Sequence, residues 1–449
     1  MSTETDSTAL PGPPVPDTAG APAGARHAHD PTVVQAPDGT FVMFSTDALA
    51  GGRPDAGVHV RTSPDLVTWT WAGTALGHVP AEALAWTGAE GLWAPEVVRW
   101  PTADGSARFH MYYSASTFGS STSAIGLAVA EDLAGPWDVR GLVVRTRAGE
   151  QTQNAIDAAV TWDGDGDPWL TYGSFFSGIY TLRLDRETGL PVTPGDLGTC
   201  IARRAHSVEA AIEGAFVVRR PGATADDDRY VLFVSYDSLF STYNVRVAVA
   251  DRITGPYRDR HGALMTDVDR APDSVGTRVL VGHRRGDGEA WVAPGHCSVL
   301  HVGSAPHVDA STGVDLLVHH VRYAADPSEH VAQVRRIVWT RSGWPAVAPE
   351  PYAGEGLEVP LSTVLGPDPR LAGTWDVLDL RDAPATTASG PVTASRLVEV
   401  PDGDLTATAL ADGVVFASRD QVTGTDTLSF AGYTAHGTAV SGTLRPASD

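Results

Sequence analysis

Apolar and polar positions alternate along this chain in short runs, and the runs recur as one unit. A polar segment opens the unit, a turn follows, and an aromatic-rich strand comes next. HDPTVV leads through Asp38-Gly39 to FVMFS, and WAPEVV (Trp93 to Val98) leads through Asp104-Gly105 to FHMYYSA. NAIDAAV leads through Gly164-Asp165-Gly166 to PWLTYGS, and EGAFVV leads through Asp226-Asp227-Asp228 to YVLFVSY. A fifth, less regular unit starts at GHCSVL (Gly295 to Leu300) and runs into VDLLVHHV. Second halves repeat as well: GVHVRTSPDLVTW, IGLAVAEDLAGPW, GIYTLRLDRETG and NVRVAVADRITGPY each give an alternating strand and a short acidic turn. Period-two alternation marks strands with one buried face. Such a unit cannot hide both of its faces alone, so a radial array is the economical way to bury them.

The pattern therefore predicts an all-β chain with a five-bladed β-propeller; a sandwich of many short strands is the competing architecture. With the first strand of each unit innermost, Asp30, Asp157 and Glu213 would meet at one mouth of the central channel. Five such units need roughly 340 residues, fewer than the 449 present, so a second unit is expected. The expected division is an unstructured segment over 1–25, the propeller over 26–365 and a small C-terminal all-β domain, barrel or sandwich, over 366–449. Trp375, Phe416, Phe430 and Tyr433 in the last part suit a core or a sugar-binding face equally well.

Composition narrows the chemistry. Formal charge is −22, and every one of the 32 basic residues is Arg. Without lysine there is no Schiff-base amine and no P-loop ammonium. An acidic balance disfavours nucleic acid and anionic membranes as partners, and no run is long and apolar enough for a membrane span. Two cysteines, Cys200 and Cys297, cannot supply a disulfide framework or a structural zinc site. Residues 1–25 show neither a basic nor an apolar leader region, from which a cytoplasmic location is expected.

Three carboxylates at one site suit glycosidic bond cleavage. One carboxylic acid protonates the leaving oxygen while an opposed carboxylate activates water, and a third beside the acid raises its pKa by repulsion. Simple turn capping is the other reading of Asp30 and Asp157.

The order HDP, WAPEV, STFGSSTSAIG, NAID, GSFFSGI, EGAF, STYNVRVAVADRITGPY and GHCSVL resembles glycoside hydrolase family 43, in particular the arabinan endo-1,5-α-L-arabinanases, over about residues 27 to 345. The resemblance implies a five-bladed propeller and inverting hydrolysis of α-1,5-linked L-arabinofuranosyl chains, with arabinan or arabino-oligosaccharide as the partner. It assigns Asp30 as general base, Glu213 as general acid and Asp157 as the residue that raises and orients the acid. Glu209, in VEAAIEGAF, is a rival for the acid. Substrate contacts are implied for Gly119, for Asn154, Ala155 and Ile156, and for Ser174, Phe175 and Phe176, with Trp93 as a stacking platform or else a core residue. His296 is implied to help hold calcium, largely through water, although a buried hydrogen-bonded histidine is what the residue alone suggests; His319 and His320 point to opposite faces of their strand, so only one can join it. Phe176, Ala158 and Glu96 stand where the family often has Trp, Pro and Asp. An exo-acting α-L-arabinofuranosidase or β-xylosidase would use the same carboxylates, and a sugar-binding propeller without catalysis is the reading from another class.

Overall fold

The computed structural model describes residues 24–446 apart from 50–52, 103–104, 107, 223, 225–226, 287, 289, 304–312, 355–365, 381–385 and 388–389. The expected boundary at 365, the turn residues Asp104 and Asp226, and all but the last two residues of the 1–25 segment lie outside the described residues. Those two are ordered: the carbonyl of Ala25 accepts from the amide of Ala332, and His27 N–H donates to His330 O. The N-terminal segment thus lies along the strand His330–Trp339.

The chain is all-β, and its single α-helix among the described residues is Ala81–Thr87. The first sheet is an antiparallel meander of Thr32–Gln35, Phe41–Ser45, His59–Ser63 and Thr70–Thr74. The second is built from Trp93–Arg99, Phe109–Ala115, Ser123–Ala130 and Asp138–Thr146, and the third from Ala159–Trp162, Pro168–Tyr172, Ile179–Arg183 and Thr199–Ala202. Ile212–Arg220, Arg229–Tyr236, Asn244–Ala250 and Thr277–Leu280 form the fourth. The fifth repeats the meander with Ala290–Gly303, Gly313–Tyr323, His330–Trp339 and Pro345–Val347, and adds His283–Arg284 and Thr393–Ala394 at its edge.

First strands pack side by side in chain order. Thr32–Gln35 lies against Trp93–Arg99, that strand against Ala159–Trp162, that against Ile212–Arg220, and that against Ala290–Gly303, which returns to Thr32–Gln35. Each neighbouring pair of sheets owns an apolar cluster. Phe44 and Val60 meet Val97 and Met111 between the first two sheets, and Ile125 and Leu127 meet Val160 and Leu170 between the next two. Ile179 and Ile201 meet Val217 and Leu232, and Phe233 and Val247 meet Cys297 and Leu317. Leu300, Leu316 and Val318 close on Val33, Phe41 and Met43 of the first sheet. Alternating apolar residues are thereby buried on both sides of every sheet, which a lone meander could not achieve.

A sixth sheet of five antiparallel strands, in the order Arg396–Val400, Gly373–Asp379, Ala439–Leu444, Asp426–Tyr433, Asp412–Arg419, occupies the C-terminal part. Among the described residues its two outer strands, Arg396–Val400 and Asp412–Arg419, do not pair with each other, so it is an open sheet where a barrel or sandwich was expected. Trp375 and Phe430 fill the cluster on one face; Phe416 and Tyr433 pack on the other against Val281, Val338 and Ala346. All four aromatics are buried, so they form core and not a sugar-binding face.

Candidate active site

The same backbone device recurs once per sheet at the start of the first strand. Asp30, Ala94, Asp157, Gly214 and His296 all have positive φ, at 50°, 39°, 62°, 57° and 48°. In the second, fourth and fifth sheets the strand register shifts there, between Trp93 and Glu96, Glu213 and Phe216, and Gly295 and Ser298. A bulge inserts a residue and re-aims the side chains beside it, and left-handed non-glycine residues are held only where their surroundings fix them. Five re-aimed positions are thus brought to one end of the first strands.

Asp30 lies in a nest of imidazoles. Its Oδ1 is 2.8 Å from Nδ1 of His29, 3.0 Å from Nδ1 of His296 and 3.5 Å from Nδ1 of His320. Thr46 Oγ1 donates to Oδ2 at 2.6 Å, and the Asp30 N–H donates to His320 Nδ1 at 3.3 Å. Burial opposes the charge, but His29 and then His296 outweigh it and hold the carboxyl well below its usual range. His320, wholly buried, is kept neutral chiefly by that burial, in keeping with its accepting the Asp30 N–H. Its strand neighbour His319 points away, its Nδ1 2.8 Å from the His320 carbonyl.

The other two carboxylates behave in the opposite sense. Ser174 Oγ donates to Glu213 Oε2 at 2.7 Å, and the Gly214 N–H donates to Asp157 Oδ2 at 3.2 Å. The amide of Asp157 itself donates to Ser114 Oγ at 3.0 Å. Burial pushes both carboxyls up, and for Asp157 the charge of Glu213 adds to it. The pair therefore retains a proton where Asp30 has lost its own. Tyr243 reports the convergence of all three: burial first, then Glu213, Asp30 and Asp157, drive its phenol far above its usual pKa. Its hydroxyl, buried among them, has no hydrogen-bond partner among the described residues.

Two glycines make room for this packing. A Cβ on Gly295 would fall 2.1 Å from the Tyr243 ring, and one on Gly214 would fall 3.0 Å from Cα of His296. Close approach requires glycine at both, and at Gly214 the backbone angle, φ 57°, requires it as well.

Of the expected site residues, Asp30, Asp157, Glu213, Ser174 and His296 come together. Glu209 is set apart, exposed at the end of the short 3-10 helix His206–Val208, while Glu213 is buried. Asn154 is also buried; its Oδ1 accepts from Ser123 Oγ and its amide donates to the Ser174 carbonyl, so it steadies the Ser174 segment. Ala155 lies buried in the apolar cluster between the second and third sheets, and Ile156 is buried too. Phe175 and Phe176 are consecutive left-handed residues, with Phe176 exposed, while Trp93 is half-buried and keeps part of its face open. Gly119 occupies an exposed turn. His29, Thr46, Ser114 and Tyr243 were missed as site residues. His29 and Tyr243 stand inside motifs already singled out, HDP and STYNV, whereas Thr46 and Ser114 give no local signal.

His29, Asp30 and His320 offer ligand atoms within 4.8 Å of one another, the one such group of metal-ligating side chains among the described residues. Calcium seeks six to eight oxygen ligands, so a single carboxylate among imidazoles does not fit it as a direct donor set.

Residues 20–345 match the sequence profile of Glycosyl hydrolases family 43. An extracellular endo-α-(1→5)-L-arabinanase of Bacillus subtilis is 30% identical, over 74% of this chain and 72% of its own length. An extracellular exo-α-(1→5)-L-arabinofuranosidase of Cellvibrio japonicus is also 30% identical, over 71% of this chain and 86% of its own. Among solved structures, an endo-1,5-α-L-arabinanase of Thermotoga petrophila superposes with a TM-score of 0.74 at 25% identity, covering 94% of this chain and 99% of that one. The cytoplasmic location expected from residues 1–25 is corrected by these relatives, which are named as extracellular enzymes. Local composition at the N-terminus was its only ground. With the profile covering residues 20–345 and relatives at this identity over most of its length, the chain belongs to glycosyl hydrolase family 43.

Proposed function

We propose that this chain is an inverting hydrolase of α-1,5-linked L-arabinofuranosyl chains, acting on arabinan or arabino-oligosaccharides from a five-bladed propeller. Support for the architecture comes from the unbroken circuit of first-strand contacts and the five clusters between sheets. The proposed catalytic body spans 26–365, with the C-terminal sheet of 366–449 as a separate unit packed on it.

The observation that carries the function is the convergence of three carboxylates in surroundings that push the pKa of Asp30 down and those of Asp157 and Glu213 up. Asp30, held ionised by His29 and His296, is the general base that takes a proton from water. Glu213, held protonated with Asp157 beside it, gives its proton to the leaving oxygen. In an inverting enzyme water lies between base and sugar, and the acid stands on the opposite face. Asp157 raises and orients the acid, and Ser174 donates to the carboxylate left after transfer. Trp93 and Phe176 offer open ring faces to furanose C–H groups. Calcium at His296 would be held through its own waters, and the proposed chemistry runs through the carboxylates alone.

The test is incubation of debranched arabinan and linear α-1,5-arabino-oligosaccharides with the enzyme and with Asp30→Asn and Glu213→Gln. Loss of general base or acid is expected to lower kcat about 10²- to 10⁴-fold. Mixed short products from polymer would mark endo action, arabinose alone exo action. Proton NMR of the first product should show the inverted anomer. An inactive wild type, or full activity in Asp30→Asn, would sink the reading.

A further inference from the structure

Two exposed phenyl rings meet beside the site. Phe118 is 81% exposed and Phe240 53%, yet their centroids are 6.4 Å apart with the planes at 57°. Phe118 follows the second strand of the second sheet and Phe240 the second strand of the fourth. These sheets are not neighbours. The third sheet stands between them, with Ser174 to Phe176 at the same end.

Each loop is fastened to the site at its base. Ser116 and Ser123 bond each other across the first loop, and Ser123 continues through Asn154 to the Ser174 carbonyl. The second loop ends at Tyr243, beside the carboxylates. Arg322 Nε donates to Leu239 O at 2.8 Å, its guanidinium lies 5.1 Å from the Phe240 ring, and its Nη2 is 3.5 Å from His29 Nε2. Phe240 is therefore held from below. Phe118 stands at the first corner of a tight turn in which Ser120 N–H donates to Thr117 O, with Gly119 at φ 79° as the second corner. Rotation about that turn moves the ring without disturbing the sheet.

We propose that Phe118 and Phe240 form a gate across the mouth, with Phe240 as the post and Phe118 as the leaf, and that it sets a preference for short chains and chain ends over the interior of a polymer. The proposal rests on the reading of the chain as an arabinan hydrolase. Closed, the pair roofs the flank over the third sheet. A chain running on past that flank would need the rings parted, whereas a short chain ending at the site would not. Exposed apolar rings in water hold together only through their mutual contact, so the barrier is set by one aromatic pair.

The experiment measures kcat and KM for wild type, Phe118→Ala, Phe240→Ala and the double variant, on debranched arabinan and on arabinotriose. Each single variant is expected to raise kcat/KM on the polymer about three- to tenfold through KM, the size of one aromatic contact. Arabinotriose should change less than about twofold, and the double variant should gain no more than either single, because one contact is lost in all three. Weaker turnover of both substrates would show the rings to be binding platforms and overturn the gate. A cleaving wild type whose polymer-to-trisaccharide ratio is unmoved in the variants removes the gate alone; a wild type that cleaves neither substrate removes the arabinan reading and the gate with it.

Discussion

The N–H of Gly214 donates to Oδ2 of Asp157 at 3.2 Å, and this bond joins the third-sheet carboxylate to the residue that follows Glu213. The bulge that turns Glu213 toward the site also aims this amide. On its other side Gly214 meets His296, which lies 3.0 Å from Asp30. One glycine thus touches partners of all three carboxylates.

Gly214→Ala should therefore cost activity before it costs the fold. The new methyl would fall 3.0 Å from His296 Cα at a backbone angle, φ 57°, that side chains rarely adopt. Pushing His296 moves one of the imidazoles that, with His29, keep Asp30 ionised, and displacements near 1 Å at such sites cost on the order of 100-fold. A fall of about 10- to 100-fold in kcat with a melting temperature lowered by only a few degrees is expected. Unchanged kcat with lowered melting would mean the contact is structural only.

The pH profile follows from the opposite directions of the carboxyl shifts. Asp30 is held low, so kcat/KM should keep its plateau below the usual carboxylate range. The alkaline limb belongs to the Asp157 and Glu213 pair, raised by burial and mutual repulsion. Asp157→Asn removes one charge, which makes ionisation of Glu213 easier and lowers its pKa. The alkaline limb should then move to lower pH, in a pH series of initial rates on an arabino-oligosaccharide. A limb that stays in place or moves up would show that Asp157 does not hold the proton on Glu213.

Much of this arrangement was legible in the residues, for a definite reason. Asp30 and Asp157 stand just before their apolar strands and Glu213 at the opening of its own, so all three lie at the same end of a run that period-two patterning makes visible. What the pattern could not supply was long-range pairing. Thr46 reaches Asp30 and the amide of Ala94 from a neighbouring strand, and Ser114 reaches the Asp157 amide across sequence distance, so neither sits in a motif. Ala155 was named through the resemblance of NAID as a block; within it only Asn154 and Asp157 make polar side-chain contacts, and the Ala155 side chain turns into the core. The C-terminal strands gave alternation without register, so an open sheet, a barrel and a sandwich looked alike.

Glu96 makes the stability of the chain depend on pH. It lies deep between the first strands, where Thr32 Oγ1 donates to its Oε2 at 2.9 Å, and burial lifts its pKa to about 8. A carboxyl raised in the folded state is protonated there while the unfolded chain has already released the proton. Its contribution is fully present below about pH 4.5 and is lost as pH rises toward 8. Glu96→Gln, which has no proton to lose, should flatten the fall in melting temperature between pH 5 and about 8. Parallel curves for variant and wild type would mean that Glu96 is not the group responsible.

The C-terminal sheet is joined to the fifth sheet by a buried ionic knot as well as by apolar packing. Arg285 pairs with Glu350 and lies 3.6 Å from Asp376 and 3.9 Å from Asp420, the latter two on or beside strands of the C-terminal sheet. Glu350 also accepts from Thr443 Oγ1 at 3.0 Å, and Arg445 reaches Asp376 at 3.3 Å. All four members of the knot around Arg285 are buried. Removing one partner leaves charge in a dry interface, which typically costs about 3–5 kcal/mol, whereas replacing the set with apolar residues can be neutral. Arg285→Met should accordingly lower stability by about that amount in urea titration, and Arg285→Met with Glu350→Leu should recover part of the loss. A chain ending at residue 365 would bare Val281, Val338 and Ala346 and strip Arg285 of Asp376 and Asp420, leaving it only Glu350, and should aggregate or unfold. A soluble, cooperatively melting chain of that length would show instead that the five sheets stand without the sixth.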